Sequence, residues 1–515
     1  MIISRRQTLA MLAAPGLSPQ QRVCAAAALP QSLAGEQRAL HALNRLGFGP
    51  RPADAAAIQR LGADAWLTQF LAQQMQAGQP LAPPWAARLQ GMAMQTLSQA
   101  ELLGRYREAQ RAGREEKRSP AGGAEPEGGK ARRELLRPLL LEASEQRLLR
   151  ALHSPGQLEE VLVDFWFNHF NVFAGKGPVG VLIGNYEREA IRPHVFGKFR
   201  SMLGATAKHP AMLIYLDNVQ SVAPGYQPPR RFGQEGGKAP KAPTGLNENY
   251  ARELMELHSL GVDGGYTQRD VTELARMLTG WTVDYRAAMR GAAGPLFHFD
   301  AGRHDGGVKQ WMGRRVEPAG QREGEWALDM LAAHPATARH IAFKLAQAFV
   351  SDAPAPALVQ RLSDNFLATQ GDLRALMQCL IKDEEFWRQA HWGAKFKTPY
   401  QYLLSSLRAL DISPAEPQAM LGALAQAGMP LYGAQTPDGY KNVAGAWMNA
   451  EALAQRVQWA SRIGGGPGRG SETSSQALAS TLGAILQDGT RQMVAAEPAD
   501  SRMALLLASA EFMHR

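Results

Sequence analysis

Cysteine is nearly missing from the 515-residue chain, with Cys24 and Cys379 the only two. Two such distant cysteines build neither a disulfide framework nor a zinc site by themselves. Cys379 shares a helical apolar pattern with Leu376, Met377, Leu380 and Ile381, which predicts a small buried hydrophobe. Long apolar runs are missing too: no stretch approaches the ~18 residues that a membrane span needs, so no transmembrane segment is expected. The chain has no G-x-x-x-x-G-K-[ST] phosphate loop, no G-x-S-x-G nucleophile elbow, no H-E-x-x-H zinc helix and no EF-hand loop. "GGGPGRG" lacks the glycine spacing of a dinucleotide fold. These absences remove the commonest enzyme classes.

A net charge of +9 suggests nucleic-acid binding until the charges are located. Residues 105–137 carry +4, residues 222–245 carry +3, and Arg5, Arg6 and Arg22 add three more. The remainder of the chain is therefore close to −1. A nucleic-acid reader needs its cations on one face or one helix, whereas these lie in a leader and two Gly/Pro-rich segments. No nucleic-acid partner is expected.

The chain opens MIISRRQTLAMLAAPGL, in which Ser4, Arg5, Arg6 and Leu9 resemble a twin-arginine export motif. A short apolar stretch follows, then small residues at Ala25–Ala28 suited to cleavage. Pro15 and Gly16 cut the apolar stretch short, and Arg22 is unusual so near a cleavage site. Residues 1–30 are read as an export signal, making the protein periplasmic or exported; a cytoplasmic N-terminus is the competing reading.

Nearly every apolar pattern has the helical period, so the fold class is mainly α. Leu61, Trp66, Leu67, Phe70 and Leu71 mark an early helix after "GFGPRPAD". In "YTQRDVTELARMLTG", Thr267 and Asp270 form a capping box, Val271, Leu274 and Leu278 the buried face, and Gly280 the stop. Further helices are expected near 337–350, 355–369, 372–387 and 398–410. The segment 296–313, with a Gly-rich centre between aromatic flanks, predicts one small β-hairpin. Residues 107–133 are charged and Gly/Pro-rich, which predicts a flexible insertion with helical ends. Residues 222–245 predict a long loop, 464–475 a Gly/Ser linker, and 476–515 a C-terminal helical segment.

Two polar helices stand out. In "GLNENYARELMELHSLG", Glu248, Asn249, Arg252, Glu253, Glu256 and Ser259 occupy an arc of about 140° at the α-helical period. The opposite side is apolar apart from His258. That is an amphipathic helix, with Asn247 as N-cap and an Arg252–Glu256 ion pair. "VLVDFWFNHFNVF" differs: Asp164, Asn168 and Asn171 span only about 60°, and apolar residues surround the rest. A helix apolar nearly all round is buried, and a buried unpaired amide costs roughly 1–3 kcal/mol, a carboxylate more. The stripe therefore needs partners. Arg252 is the expected partner of Asp164, which leaves Glu253 or Glu256 as an acid or base of raised pKa. A loss below about 1 kcal/mol on replacing Asp164 with Ala would argue against its burial. His169 falls on the aromatic side and reads as a core histidine.

With these segments in view, the chain resembles the bacterial domain of unknown function 1800 family. The resemblance is carried by "HALNRLGFGPRPAD", "DFWFNHFNVF", "FRSMLGATAKHPAMLIYLDNVQS", "LNENYARELMELHSLGVDGGYTQRDVTELARMLTGWTV", "FHFDAGRHDGGVKQWMG" and "KFKTPYQYLLSSLRAL". It implies an exported, mainly helical domain over 36–463. The family is often encoded beside a twin-arginine-exported, sulfatase- or phosphatase-like protein of the domain of unknown function 1501 family. It implies no established activity, cofactor or metal. Its signature segments coincide with the polar clusters Asp164/Asn168/His169, Asp217/Asn218, Asn247 to Glu256 and Asp300/His304/Asp305.

Two functions remain open at this point. One is an accessory or scaffold protein acting with an envelope or periplasmic partner. The other is an exported hydrolase-like enzyme using a carboxylate/His cluster, with or without a metal. Its candidate catalytic residues are Glu253, Glu256, His304 and Asp305; the binding candidates are Asp164, Asn168, His169, Asp217, Asn218, Asn247, Asn249 and Arg252.

Overall fold

Helix boundaries fall where short-range chemistry puts them. Thr267 accepts from the Asp270 N–H at 3.3 Å while the Asp270 carboxylate accepts from the Thr267 N–H at 2.8 Å, opening the helix Gln268–Leu278. Thr398 and Gln401 repeat the exchange at the start of Pro399–Ala409. Proline opens Pro52–Leu61, Pro335–Phe349 and Pro356–Ala368, where its missing N–H costs no helical hydrogen bond. Gly280 follows the Gln268–Leu278 helix with φ +84°, and a Cβ there would lie 2.6 Å from the Asp300 carbonyl oxygen. Glycine is required for that approach.

The computed structural model describes residues 32–116, 130–227, 245–292, 294–414, 416–465 and 471–515. The leader expected over 1–30 lies outside the described residues, as do 117–129, 228–244 and 466–470. Helix accounts for 66% of the described residues. The insertion has the expected helical ends, Gln99–Glu116 and Lys130–His153. The early apolar pattern divides at Gly62 into Pro52–Leu61 and Ala63–Gln74. The segment expected at 372–387 is an α-helix, Leu373–Lys382, followed by a short 3₁₀ turn, Glu384–Trp387. Cys379 is only half-buried, packed against the core.

Among the described residues, the β-structure consists of two antiparallel pairs. The small hairpin expected near 296–313 is present, and a second short pairing accompanies it. Phe297–Phe299 pairs back onto Trp281–Val283, and Lys309–Trp311 turns at Met312–Gly313 into Arg314–Val316. The Gly-rich centre is drawn instead into a 3₁₀ turn, Ala301–Arg303, started by the Asp300 carboxylate accepting from the Gly302 N–H.

Apolar residues from Ala39 to Met513 join in one main core. The helix Gln157–His169 runs through it, with Trp166 and Phe170 fully buried. Trp166 meets Phe199 at 6.0 Å, and Phe165 meets Phe349 at 6.5 Å, between ring centroids. The C-terminal segment belongs to the same core. Ala499–Leu507 packs on Ala450–Gly464, Glu472–Leu482 packs on Pro52–Leu61, and His514 bridges to Phe396.

Candidate functional site

Gln157–His169 is well placed to begin. Glu159 and Glu160 occupy its first turn, where the positive end of the helix dipole favours acids. The three-residue polar stripe then divides its work. Asn168 donates to the Tyr440 carbonyl at 2.8 Å and accepts from the Tyr440 N–H at 2.7 Å. Asn171 donates to the carbonyls of Ala434 and Thr436 at 3.0 and 2.9 Å. Both amides thus clamp one loop against the helix. Gly439, φ +66°, permits the contact, because a Cβ there would sit 2.5 Å from the Asn168 carbonyl oxygen.

Asp164, the third member, is paired with Arg147 at 2.5 Å, not with Arg252. Arg147 also meets Glu187 at 3.3 Å, Glu187 meets Arg192 at 3.1 Å, and Arg192 holds Glu160 at 2.7 Å. Tyr432 donates to Glu187 at 3.0 Å. The guanidinium of Arg147 lies 4.9 Å from the Phe167 ring centroid and 5.3 Å from that of Tyr432. Burial pushes the Asp164 carboxyl up, and Arg147 only partly opposes it. Burial also acts on Glu187, but Arg147 and Arg192 outweigh it and hold that carboxyl low.

Asp164 keeps 21% side-chain exposure because it opens onto a cavity of about 590 Å³. The floor holds Arg147, Asp164 and Gln401; the clamped loop supplies Asp438 and Tyr440. The third wall is the helix Pro335–Phe349, through His340, Phe343, Lys344 and Gln347. Lys344 has no hydrogen-bond or ion-pair partner among the described residues. Burial lowers its pKa to about 8, and Asp438 opposes this only at longer range. Beside it lie three histidines kept neutral. Burial, then Lys344, brings His258 to about 3 and His340 to about 4. His169 is also well below its ordinary value, for the same reasons. His169 Nε2 contacts the His258 carbonyl at 3.2 Å, and His340 Nε2 the Leu257 carbonyl at 3.3 Å.

Lys344 is half-buried, and its ammonium faces the cavity without an ion-pair partner, which destabilises the fold. Lys344→Met is expected to raise unfolding free energy by roughly 2–3 kcal/mol at neutral pH, from the displacement of its pKa. The folded value of about 8 lies below the ordinary 10.5, so the cost is complete below the folded value. It fades as pH rises from about 8 to 10.5, where the folded form loses its proton first. Urea unfolding of both proteins at neutral and alkaline pH checks this; a difference independent of pH would refute it.

The other predicted residues have varied places. Glu256 lines the cavity and accepts from the Tyr266 hydroxyl at 3.4 Å. Glu253, one turn earlier, does not line it; burial and the Glu256 charge push its carboxyl up. Arg252 pairs with Glu248 at 3.4 Å and with the Gln268 side chain, so the expected Arg252–Glu256 pair does not form. Asn247 accepts from the Asn249 N–H at 3.0 Å, a capping role one residue off the expected helix start, and Asn249 donates to the Leu216 carbonyl. Asp217, in a left-handed turn, pairs with Lys176 at 2.6 Å, while Asn218 donates to the carbonyls of Leu278 and Trp281.

His304 and Asp305 lie outside the cavity lining. His304 bridges the Thr279 carbonyl at 2.9 Å and Glu323 at 3.1 Å. Asp305 pairs with Arg276 at 2.7 Å; burial opposes ionisation, but the Arg276 and Gly307 hydrogen bonds hold its carboxyl low. Among the described residues, no group of three or more His, Cys, Asp or Glu side chains is arranged to hold a metal ion.

Arg147, His340, Lys344, Asp438 and Tyr440 were not singled out from sequence. His340 and Lys344, four residues apart in "ARHIAFKLAQAFV", carried a readable signal: two basic groups flanking an apolar face.

The family described as "Protein of unknown function (DUF1800)" matches residues 41–514, which includes both polar helices, the clamped loop and the C-terminal helices. No curated protein and no solved structure matches the chain.

Proposed function

The chain belongs to the DUF1800 family, and on that premise we propose that it is an exported protein whose cavity binds a small polar molecule and transforms it by acid–base chemistry. One observation carries this reading: Lys344, without an ion-pair partner among the described residues, and partly open Asp164 line the same cavity. Perturbed ionisable groups in a mostly apolar cleft with a few polar groups are the usual mark of a reactive site. Asp164, its pKa raised, can give or take a proton, and Lys344 can do the same near neutral pH. Glu256 supplies a second carboxylate at the same cavity. The twin-arginine-like leader supports export.

Screening fractionated small-molecule extracts of the host by thermal unfolding tests the reading. One fraction should stabilise the protein, Ala434→Trp should block the effect by filling the cavity, and the active compound should be consumed with time. Asp164→Asn should keep binding and lose turnover. If no fraction stabilises the protein, or the filled variant responds equally, the reading is wrong.

The accessory reading keeps one specific support. Val262 and Phe343, 68% and 41% exposed, form an apolar rim at the cavity mouth, where a periplasmic partner such as a sulfatase- or phosphatase-like protein could dock. Stoichiometric recovery of such a partner with the wild type, lost in Val262→Asp, would favour it.

A further inference from the structure

The cavity has one uncommitted cation and several carboxylates, and that imbalance constrains what it can hold. Arg147 is shared between Asp164 and Glu187, and Lys441 is paired with Asp438. Lys344 is the cavity-lining cation left over among the described residues. Next to it the wall is apolar and aromatic, formed by Phe165, Phe343 and Met429. Glu256 and Leu257, at the C-terminal end of Asn249–Glu256, also line the cavity, and a helix C-terminus disfavours anions.

Resting on the small-molecule reading above, we infer that the ligand is a monocarboxylate with an apolar body, its carboxylate received by Lys344 and its body lying against Phe165, Phe343 and Met429. A carboxylate supplies the single counter-charge that Lys344 lacks. A phosphate dianion brings two charges into a cavity that offers one free cation and is lined by Asp164, Glu256, Asp263 and Asp438. Phosphate sites ordinarily present several donors, commonly a helix N-terminus, and here a helix C-terminus faces the site. The monocarboxylate is the favoured class on both counts.

The pH dependence belongs to Lys344. The groups around it are His169 and His258 from two packed segments, His340 on its own helix, and Asp438 and Lys441 on the clamped loop. His258 and His340 stay neutral above about pH 4, and burial holds His169 well below its ordinary value. Asp438 stays ionised: burial opposes this, but hydrogen bonds from Lys441 and Thr436 outweigh it. Lys395, lowered to about 8 by burial and paired with Asp352, titrates in the same range, so a variant lacking Lys344 is the necessary control.

Benzoate and inorganic phosphate are the probes, titrated calorimetrically into the full-length protein and into Lys344→Met and Lys344→Arg. Benzoate should bind the wild type, and its affinity should fall as pH rises through about 8. Lys344→Met should weaken it about tenfold or more and remove the pH dependence, the scale expected for losing a charged hydrogen bond. Lys344→Arg should retain part of the affinity, and benzoate should raise the pKa read from the Lys344 ε-nitrogen resonance. Binding unaffected by Lys344→Met overturns the inference, as does a preference for phosphate or no binding of benzoate at high concentration. The failures are separable. An extract compound that Ala434→Trp excludes but Lys344→Met does not would leave the small-molecule reading standing without its carboxylate; no compound at all would remove both.

Discussion

Replacing Arg147 with methionine is expected to lower the unfolding free energy by about 3–5 kcal/mol, the range for removing one member of a buried ion pair. Methionine fills the space beside Phe167 and Tyr432 but gives up the guanidinium's contact with both rings, so the loss reports the charge. Two carboxylates lose their partner, and they differ in what remains. Glu187, 8% exposed, still has Arg192 at 3.1 Å and the Tyr432 hydroxyl at 3.0 Å. Asp164 keeps only the longer-range charge of Arg515, and its raised pKa should rise further without Arg147. A carboxyl whose folded pKa is raised favours folding below its unfolded value and opposes it as pH climbs through the folded one. The deficit should therefore be largest near neutrality and shrink in acid. In the wild type, Glu187 narrows the gap from the other side, because its depressed pKa gives stability that acid removes. The double variant Arg147→Met/Asp164→Asn should be less unstable than the sum of the singles, since the stranded charge is gone. Urea unfolding at two pH values checks all three statements. A loss below about 1 kcal/mol for the single variant would mean the network is solvated rather than buried.

That network shows how far the sequence could be read. The Asp164/Asn168/Asn171 stripe was recognisable because a helical wheel is local, and so was the demand that its polar groups find partners. The partners were not. Asn168 and Asn171 are met by backbone groups more than 260 residues away, which no periodicity encodes. The helical pattern points to Arg252 for Asp164, yet Arg147, 17 residues upstream, reaches it across a helix–helix contact. The helix Gln268–Leu278 was legible to within a residue, because a capping box and a terminal glycine are local chemistry. The small hairpin near 296–313 was legible in kind but not in its exact pairing, for the opposite reason. Its first aromatic flank is claimed by Trp281–Val283, a tertiary pairing that outcompetes the Gly-rich turn. Lys344 carries no local signal because a lysine on a helix flank normally reaches open solvent; here it faces a cavity shared with His169 and the clamped loop.

The second large effect concerns Glu323, which explains the arrangement of His304 and Asp305. Glu323→Ala is expected to cost about 3–5 kcal/mol, again as a buried ion pair broken from one side. The Glu323 side chain is fully buried and pairs at 2.6 Å with the equally buried Lys309. It also accepts from His304 Nε2 at 3.1 Å and from the Ala319 and Gly320 N–H groups at 2.8 and 3.1 Å, where Gln321–Ala332 begins. Burial opposes its ionisation, but His304 and Lys309 outweigh this and hold the carboxyl low. Its stabilising effect is present above the ordinary carboxylate value of 4.5 and is lost as pH falls through the folded one, so the variant and wild type should converge in acid. Glu323→Gln should fall between them, keeping an acceptor for the two N–H groups while leaving Lys309 unpaired. The same measurement separates two roles for the loop. If His304 and Asp305 serve as struts, His304→Ala and Asp305→Ala should each lower stability, and His304→Ala should be less than additive with Glu323→Ala. If they carry chemistry, their removal should abolish activity and leave unfolding unchanged. The contacts from His304 to Thr279 and Glu323, and from Asp305 to Arg276, favour the first outcome, since each side chain is already committed to holding the Gln268–Leu278 helix against the start of Gln321–Ala332.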